Sequence, residues 1–184
     1  MLNAPDDEII ARARKGDRTA ITAIYEQTYP AIYRYLYYRL DCQEAAEDLS
    51  SEVYVRMISS LDTFCPQEVP FPAWLFQIAR NLTIDYYRRM QHRNHLPLEE
   101  NVINVTQDLT RSLDGRLNSV VLRQALNRIS ENQRDVLVLR FIAGMPIGEV
   151  AQMIRKSEDA VKGLQRRGLL ALRSLLIEQE NHHA

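Results

Sequence analysis

The chain has 184 residues, enough for one ordinary domain or two small ones, and its 46% apolar and 26% charged content excludes wholesale disorder. A formal charge of −1 excludes a uniformly basic nucleic-acid coat, so any DNA-facing surface has to come from local clustering. Cys42 and Cys65 lack a C-x-x-C spacing, the N-terminus is charged where a signal peptide needs an apolar run, and no stretch reaches the roughly 18–20 apolar residues that cross a bilayer. Those features read as a chain of the reducing cytoplasm with no membrane contact.

Gly is scarce at 6 residues, and Pro66, Pro70, Pro72 and Pro97 crowd the middle of the chain. The long segments between are rich in Leu, Ala, Glu, Arg and Ile, which predicts an all-α protein. Residues 6–15 read as a short helix stopped at Gly16, after which Asp17 caps a second helix. Pro30 is expected to interrupt that helix, and Ile32, Leu36 and Leu40 resume a helical period beyond it. Ala45, Leu49, Val53, Met57 and Leu61 then recur every four residues, opposite a polar side carrying Glu44, Glu47, Asp48, Ser51, Glu52 and Arg56.

"DTFCPQEVPFP", 62–72, is a Pro-broken loop, and "AWLFQIARNLTIDYYRRMQHR" resumes a strong helix. Trp74 shares helical spacing with Ile78 and reads as core, as do Tyr29, Tyr33, Tyr35, Tyr37 and Tyr38. The chain thus divides into a helical domain over 1–93, a linker over 94–112 with weak periodicity, and a second helical domain over 113–184. In the second domain, helices break at Ser130 and end at Gly144.

"IGEVAQMIRKSEDAVKGLQRRGLLALRSLL", 147–176, holds two helices joined by a very tight corner. Ile147, Val150, Ala151 and Ile154 share one face of the first, and Val161, Leu164, Gly168, Leu172 and Leu175 one face of the second. Ala160 and Gly168 are small enough for close helix approach. Ser157 has the features of an N-cap, and Glu158 and Asp159 suit the positive end of the helix dipole. Lys162, Gln165, Arg166, Arg167 and Arg173 remain outside. This is the pattern of a helix-turn-helix, in which Lys162 and Arg166 would meet guanine edges or phosphates and Glu158 or Asp159 would accept from cytosine. A plain amphipathic helix pair with a solvated outer face has the same pattern. Arg155 stands where such corners usually carry Gly.

Catalytic signatures are missing: there is no Gly-rich phosphate loop, no H-E-x-x-H and no Cys/His cluster of metal spacing. The expectation is a non-enzyme without cofactor or metal. From the residues alone, a polymerase subunit, a free-standing helix-turn-helix regulator and a helical interaction protein all stay open.

"EAAEDLSSEVYVRM", "FPAWLFQIARNLTIDYYRRM" and "LNRISENQRDVLVLRFIAGMPIGEVAQMI", in this order and spacing, resemble the extracytoplasmic-function sigma factors of bacterial RNA polymerase. The resemblance implies two small helical domains, region 2-like and region 4-like, that direct core polymerase to promoters and melt them. It implies that Asp48, Ser51, Glu52 and Arg56 contact the beta-prime clamp helices. It also implies minus-ten recognition and melting by Phe64, Phe71, Asn81, Asp85, Tyr87, Arg88, Arg89 and Arg93, since an extruded base needs stacking or edge hydrogen bonds and the displaced strand needs cations. The helix-turn-helix residues Ser157, Glu158, Asp159, Lys162, Gln165, Arg166, Arg167 and Arg173 would bind the minus-thirty-five element. Implied partners are core RNA polymerase, including the beta flap, promoter DNA and an anti-sigma factor. "AVKGLQ" at 160–165 departs from the "TVKSRL" of many members, lacking a hydroxyl at Ala160 and a base at Leu164, so base preference does not carry over.

Overall fold

The computed structural model describes residues 5–93 and 113–182, apart from the side chains of 92, 93, 113–118 and 179–182. Among the described residues every regular element is helical: α1 (Asp7–Arg14), α2 (Arg18–Arg39), α3 (Gln43–Ser60), α4 (Phe71–Arg93), α5 (Leu113–Arg128), α6 (Glu131–Leu137), α7 (Ile147–Ile154) and α8 (Glu158–His182). The expected all-α class is observed.

Polar side chains set the first boundaries. Asp6 Oδ1 accepts from the Ile9 N–H at 2.8 Å, and Asp17 Oδ1 accepts from the Thr19 N–H at 2.9 Å, each satisfying a donor that the first turn leaves without a helical partner. Gly16 between them takes φ 79°, as the chain reversal requires. Hydrogen bonds from Thr19 and then Arg12 hold the Asp17 carboxyl well below the usual carboxylate range.

Pro30 does not interrupt α2, which is continuous from Arg18 to Arg39. A mid-helix proline costs about 3 kcal/mol. Here the burial of Ile24 and Thr28 before it and Ile32, Tyr35 and Leu36 after it outweighs that cost, because each buried aliphatic or aromatic side chain contributes about 1.5–3 kcal/mol. Pro30 itself lies on the exposed side. α1, α3 and α4 close around this stripe through Leu49, Val53, Met57, Leu75, Phe76 and Leu82. Buried hydroxyls are answered within the core: Thr28 Oγ1 donates to the Ile24 carbonyl at 2.7 Å and meets Tyr54 Oη at 2.9 Å.

α5–α8 pack around Leu126, Val136, Leu139, Val150, Val161 and Leu172, which belong to the same buried apolar cluster as the N-terminal helices. After α6 the helix widens into a π turn over Val138–Ile142, closed by the Ala143 N–H to the Val138 carbonyl at 2.9 Å. In a regular helix the Ile142 carbonyl would accept from residue 146, which is proline and has no N–H. Arg34 Nη2 of α2 donates to it instead, at 2.9 Å.

The tight corner has a specific backbone form. Arg155 lies in the left-handed region at φ 55°, ψ 50°. Its N–H donates to the Gln152 carbonyl at 3.2 Å and the Lys156 N–H to the Ala151 carbonyl at 2.9 Å, the bond pair of a Schellman cap. Gly168 is buried, and a Cβ there would meet Leu137 Cδ1 at 2.9 Å and Gln133 Cβ at 3.3 Å, so α8 crosses α6 at glycine distance. Ala160, expected to serve the same close approach, is exposed; its turn of α8 lies beyond the crossing.

Opposite signs are expected from two substitutions. Arg155→Gly removes left-handed strain of ~1–2 kcal/mol while adding ~0.5–1 kcal/mol of chain entropy to be lost on folding. The net gain of about 0.5–1 kcal/mol should raise Tm by about 1–4 °C in a thermal melt. Gly168→Ala forces α8 off α6 and should cost about 1–3 kcal/mol in urea unfolding.

Candidate nucleic-acid interface

The corner points the first turns of α8 outward. Ser157 Oγ accepts from the Ala160 N–H at 3.2 Å, so the predicted N-cap is in place, followed by Glu158 and Asp159 at the positive end of the helix. Lys162, Arg166 and Arg167 are exposed on the outer face, with Lys162 Nζ held 3.1 Å from Asp159 Oδ1. That contact is an exposed pair and is exchangeable for a phosphate at little cost. Gln165 is half-buried, its Oε1 accepting from Arg140 Nε at 3.4 Å, which orients the side chain from behind. Arg173 is exposed but stands eleven residues beyond Lys162, about 16 Å along the axis. The structure therefore groups seven of the eight helix-turn-helix candidates within the first turns and leaves Arg173 apart.

A second basic face lies on α4. Asn81, Asp85, Arg88 and Arg89 fall at i, i+4, i+7 and i+8, hence on one side of the helix. Arg88 Nη1 stands 3.7 Å from Asp85 Oδ1, and Asn81 Oδ1 accepts from Gln77 Nε2 at 2.9 Å. Arg93 closes α4, and its side chain lies outside the described residues.

Three expected members of this group are elsewhere. Tyr87, at i+6, points to another side of α4, where its hydroxyl donates to the Arg39 carbonyl at 2.7 Å and the Arg134 guanidinium lies 5.5 Å from its ring centroid. Burial pushes its phenol up, so it remains a donor at neutral pH. Phe64 and Phe71, expected as stacking surfaces, are each 4% exposed. Their rings meet edge to face at 5.3 Å, and Trp74 covers Phe64 at 4.9 Å. Arg14 Nη2 donates to the Phe64 carbonyl and tethers the loop. A loop this apolar gains more by closing over the α3–α4 core than by offering rings to water, so neither ring presents a face to a base.

On α3, Asp48, Ser51 and Arg56 are exposed and Glu52 is half-exposed, paired with Arg56 Nε at 2.9 Å. Sequence reasoning missed two neighbours: Val55 is 61% and Ile58 50% exposed. The available signal was Val55 at i+7 from Asp48, an apolar residue on the polar side of the helix. A mixed face of this kind, apolar residues ringed by charges, is the composition that protein partners bury.

The sequence reading also missed the junction where the two helical groups meet. Asp135 of α6 is buried between Arg39 Nε of α2 at 3.2 Å and Arg80 Nε of α4 at 2.8 Å. Tyr35 lies beside them, its phenol pushed up by burial and by the Asp135 charge. The detectable signal was Arg39 itself, which continues the Ile32, Tyr35, Leu36 spacing and so belongs to the buried stripe of α2. Among the described residues no group of His, Cys, Asp and Glu is arranged to hold a metal, and no helix is long and apolar enough to cross a membrane.

The fold is all-helical among the described residues, and its last two helices form a helix-turn-helix with exposed cations on the second. Family models agree: Sigma-70 region 2 matches residues 24–93 and Sigma-70 region 4 matches residues 125–174. The chain is 34% identical over 171 residues to the ECF RNA polymerase sigma factor BldN of Streptomyces coelicolor, covering 92% of this chain and 65% of that protein. It is 33% identical over 161 residues to the ECF RNA polymerase sigma factor SigX of Bacillus subtilis, covering 82% and 80% of the two. The solved structure of CnrH in complex with the cytosolic domain of CnrY aligns at a TM-score of 0.72 with 25% identity over 93% of this chain and 96% of that one. A sigma factor RpoE from Bartonella quintana, solved with the anti-sigma factor NepR, shares the fold at a TM-score of 0.65 and 22% identity, over 84% of this chain and 95% of that one. The chain belongs to the sigma-70 family, among the extracytoplasmic-function RNA polymerase sigma factors. Membership assigns it no catalytic step of its own.

The buried position of Phe64 is open to test. Phe64→Ala should cost about 3–5 kcal/mol in urea unfolding, the range for a core aromatic, where a solvent-facing stacking ring would cost well under 1 kcal/mol.

Proposed function

We propose that this chain is a dissociable specificity subunit that brings core RNA polymerase to promoters and helps to melt them. Residues 1–93 form the docking and minus-ten unit, 94–112 the linker, and 113–184 the minus-thirty-five unit. The observation that carries the reading is the coexistence of the α3 face with two separate basic helix faces, on α4 and α8. A free-standing helix-turn-helix regulator needs only the last of these.

In this reading Asp48, Ser51, Glu52 and Arg56, joined by Val55 and Ile58, dock on the beta-prime clamp helices, while the second unit meets the beta flap. Asn81, Asp85, Arg88, Arg89 and Arg93 attend the minus-ten element. Arginine cations follow the displaced strand, and Asn81 and Asp85 offer amide and carboxylate edges for hydrogen bonds to an unpaired base. Lys162, Gln165, Arg166 and Arg167 enter the major groove at minus thirty-five, with Ser157, Glu158 and Asp159 at the helix start and Arg173 on a more distant phosphate. No cofactor is required, because binding energy supplies the unpairing. The chain works in the cytoplasm, and an anti-sigma factor restrains it, a partner of the kind with which the Bartonella quintana sigma factor was solved.

The experiment is gel filtration of the purified chain with core RNA polymerase lacking any sigma subunit. One-to-one co-elution is expected, and it should be lost in Asp48→Arg, whose helix content and melting temperature stay at the wild-type value because Asp48 is exposed. Co-elution undiminished in Asp48→Arg would overturn the α3 interface. No co-elution of the folded wild type would move the function to duplex DNA alone.

A further inference from the structure

α8 carries one side chain whose hydrogen-bonding sense is set from inside the fold. Glu158, Lys162 and Gln165 fall at i, i+4 and i+7, in one line along α8 beside the buried stripe of Val161, Gly168 and Leu172. Glu158 and Lys162 are exposed, whereas Gln165 is half-buried and its Oε1 accepts from Arg140 Nε at 3.4 Å. Arg140 belongs to the π turn after α6, and its Nη1 donates to the Met145 carbonyl, just before Pro146 and α7. The guanidinium is thereby pinned at two points, behind α8 rather than on its outer face.

A guanidinium only donates, so the amide has to turn its oxygen to Arg140 and its NH2 group away. Gln165 Nε2 has no hydrogen-bond partner among the described residues, yet it is not closed off from water. The exposed end of this side chain is therefore a donor.

Polarity then selects a base. A free glutamine amide pairs with adenine through both ends, its oxygen taking the N6 amino proton and its NH2 group meeting N7. With the oxygen engaged by Arg140, only the amide protons are offered. Guanine presents two acceptors at its major-groove edge, O6 and N7, and matches a donor-only group. Cytosine presents its N4 amino donor there and repels one, and thymine offers a single acceptor beside a methyl group. Lys162, three residues earlier in the same line, is also donor-only, so the two side chains ask for acceptors together.

We propose that Arg140 is a positioning residue for promoter choice: it holds Gln165 as a donor, and Gln165 selects guanine at one base pair of the minus-thirty-five element. The base selected rests on the promoter-reading role proposed above for α8; the donor sense of the amide rests on the Arg140 contact alone.

Selection from duplexes randomised over the upstream element tests the assignment, each duplex carrying an unpaired segment at minus ten so that melting does not limit capture. Holoenzyme assembled from core RNA polymerase and the full chain should enrich guanine at one position by about fivefold or more, the discrimination of one good pairing. Gln165→Glu keeps one oxygen on Arg140 and turns the other outward, which converts the exposed end from donor to acceptor. It should replace guanine by cytosine on the same strand at that position and leave neighbouring preferences unchanged, an exchange that loosened packing does not produce. Arg140→Ala frees the amide oxygen and should admit adenine beside guanine there. Arg140→Lys, whose ammonium also only donates, should restore guanine.

Circular dichroism verifies that each variant is folded. If Arg140→Ala, which also deprives the Met145 carbonyl of its donor, fails to fold, Gln165→Glu and Arg140→Lys decide. A base profile unchanged in Gln165→Glu would overturn the role of Gln165. A profile that Arg140→Ala leaves unchanged, or weakens evenly at every position, would overturn that of Arg140. Failure of the wild type to form holoenzyme defeats the sigma-factor function instead, and the free chain's selection from the fully paired library then decides Gln165 by the same criteria. A free chain that enriches no base would overturn the assignment.

Discussion

One buried carboxylate governs how the two halves of this protein sit. Asp135 extends from α6 toward α2 and α4, and Arg39 and Arg80 meet it there. The buried apolar residues of the two halves form one cluster, so the carboxylate adds a charged contact to a seam that apolar packing also closes. It ties α6 to α2 and α4 across the junction. Tyr35, buried alongside and kept protonated, extends the same polar centre.

Around that register the helices divide their sides in a consistent way. α2 gives one side to the N-terminal core and reaches the other half through Arg34, Tyr37 and Arg39. α4 turns Tyr87 and Arg80 toward the junction and Asn81, Asp85, Arg88 and Arg89 away from it. The π turn after α6 serves the same end. With Pro146 unable to donate, the Ile142 carbonyl becomes an anchor for Arg34, so a local irregularity in one half becomes a hydrogen bond to the other.

Much of this was legible in the sequence, and the rest was hidden for physical reasons. Helix starts at Asp17 and Ser157 were readable because a cap is a local interaction, settled within four residues. The core stripe of α3 was readable because Leu49, Val53 and Met57 recur every four residues and all three are buried. Pro30 misled because local propensity is a weak prior beside the burial of the residues around it. Phe64 and Phe71 misled because a Pro-broken loop suggests exposure, while their fate depended on a core surface supplied by Leu61, Trp74 and Leu75. The junction was the hardest to see: Arg39 looks like one more cation among tyrosines until a carboxylate some hundred residues away is brought against it in space.

Arg155 joins the two scales. A left-handed arginine is a strained way to turn a corner, and glycine would relieve the strain, yet arginine keeps a cation on the rim of the helix-turn-helix. The same exchange occurs at Asp135, where a charge stands in a place that a methyl group would fill with less desolvation. At Arg155 local stability is given up for an exposed cation, and at Asp135 the charge joins the two helical groups.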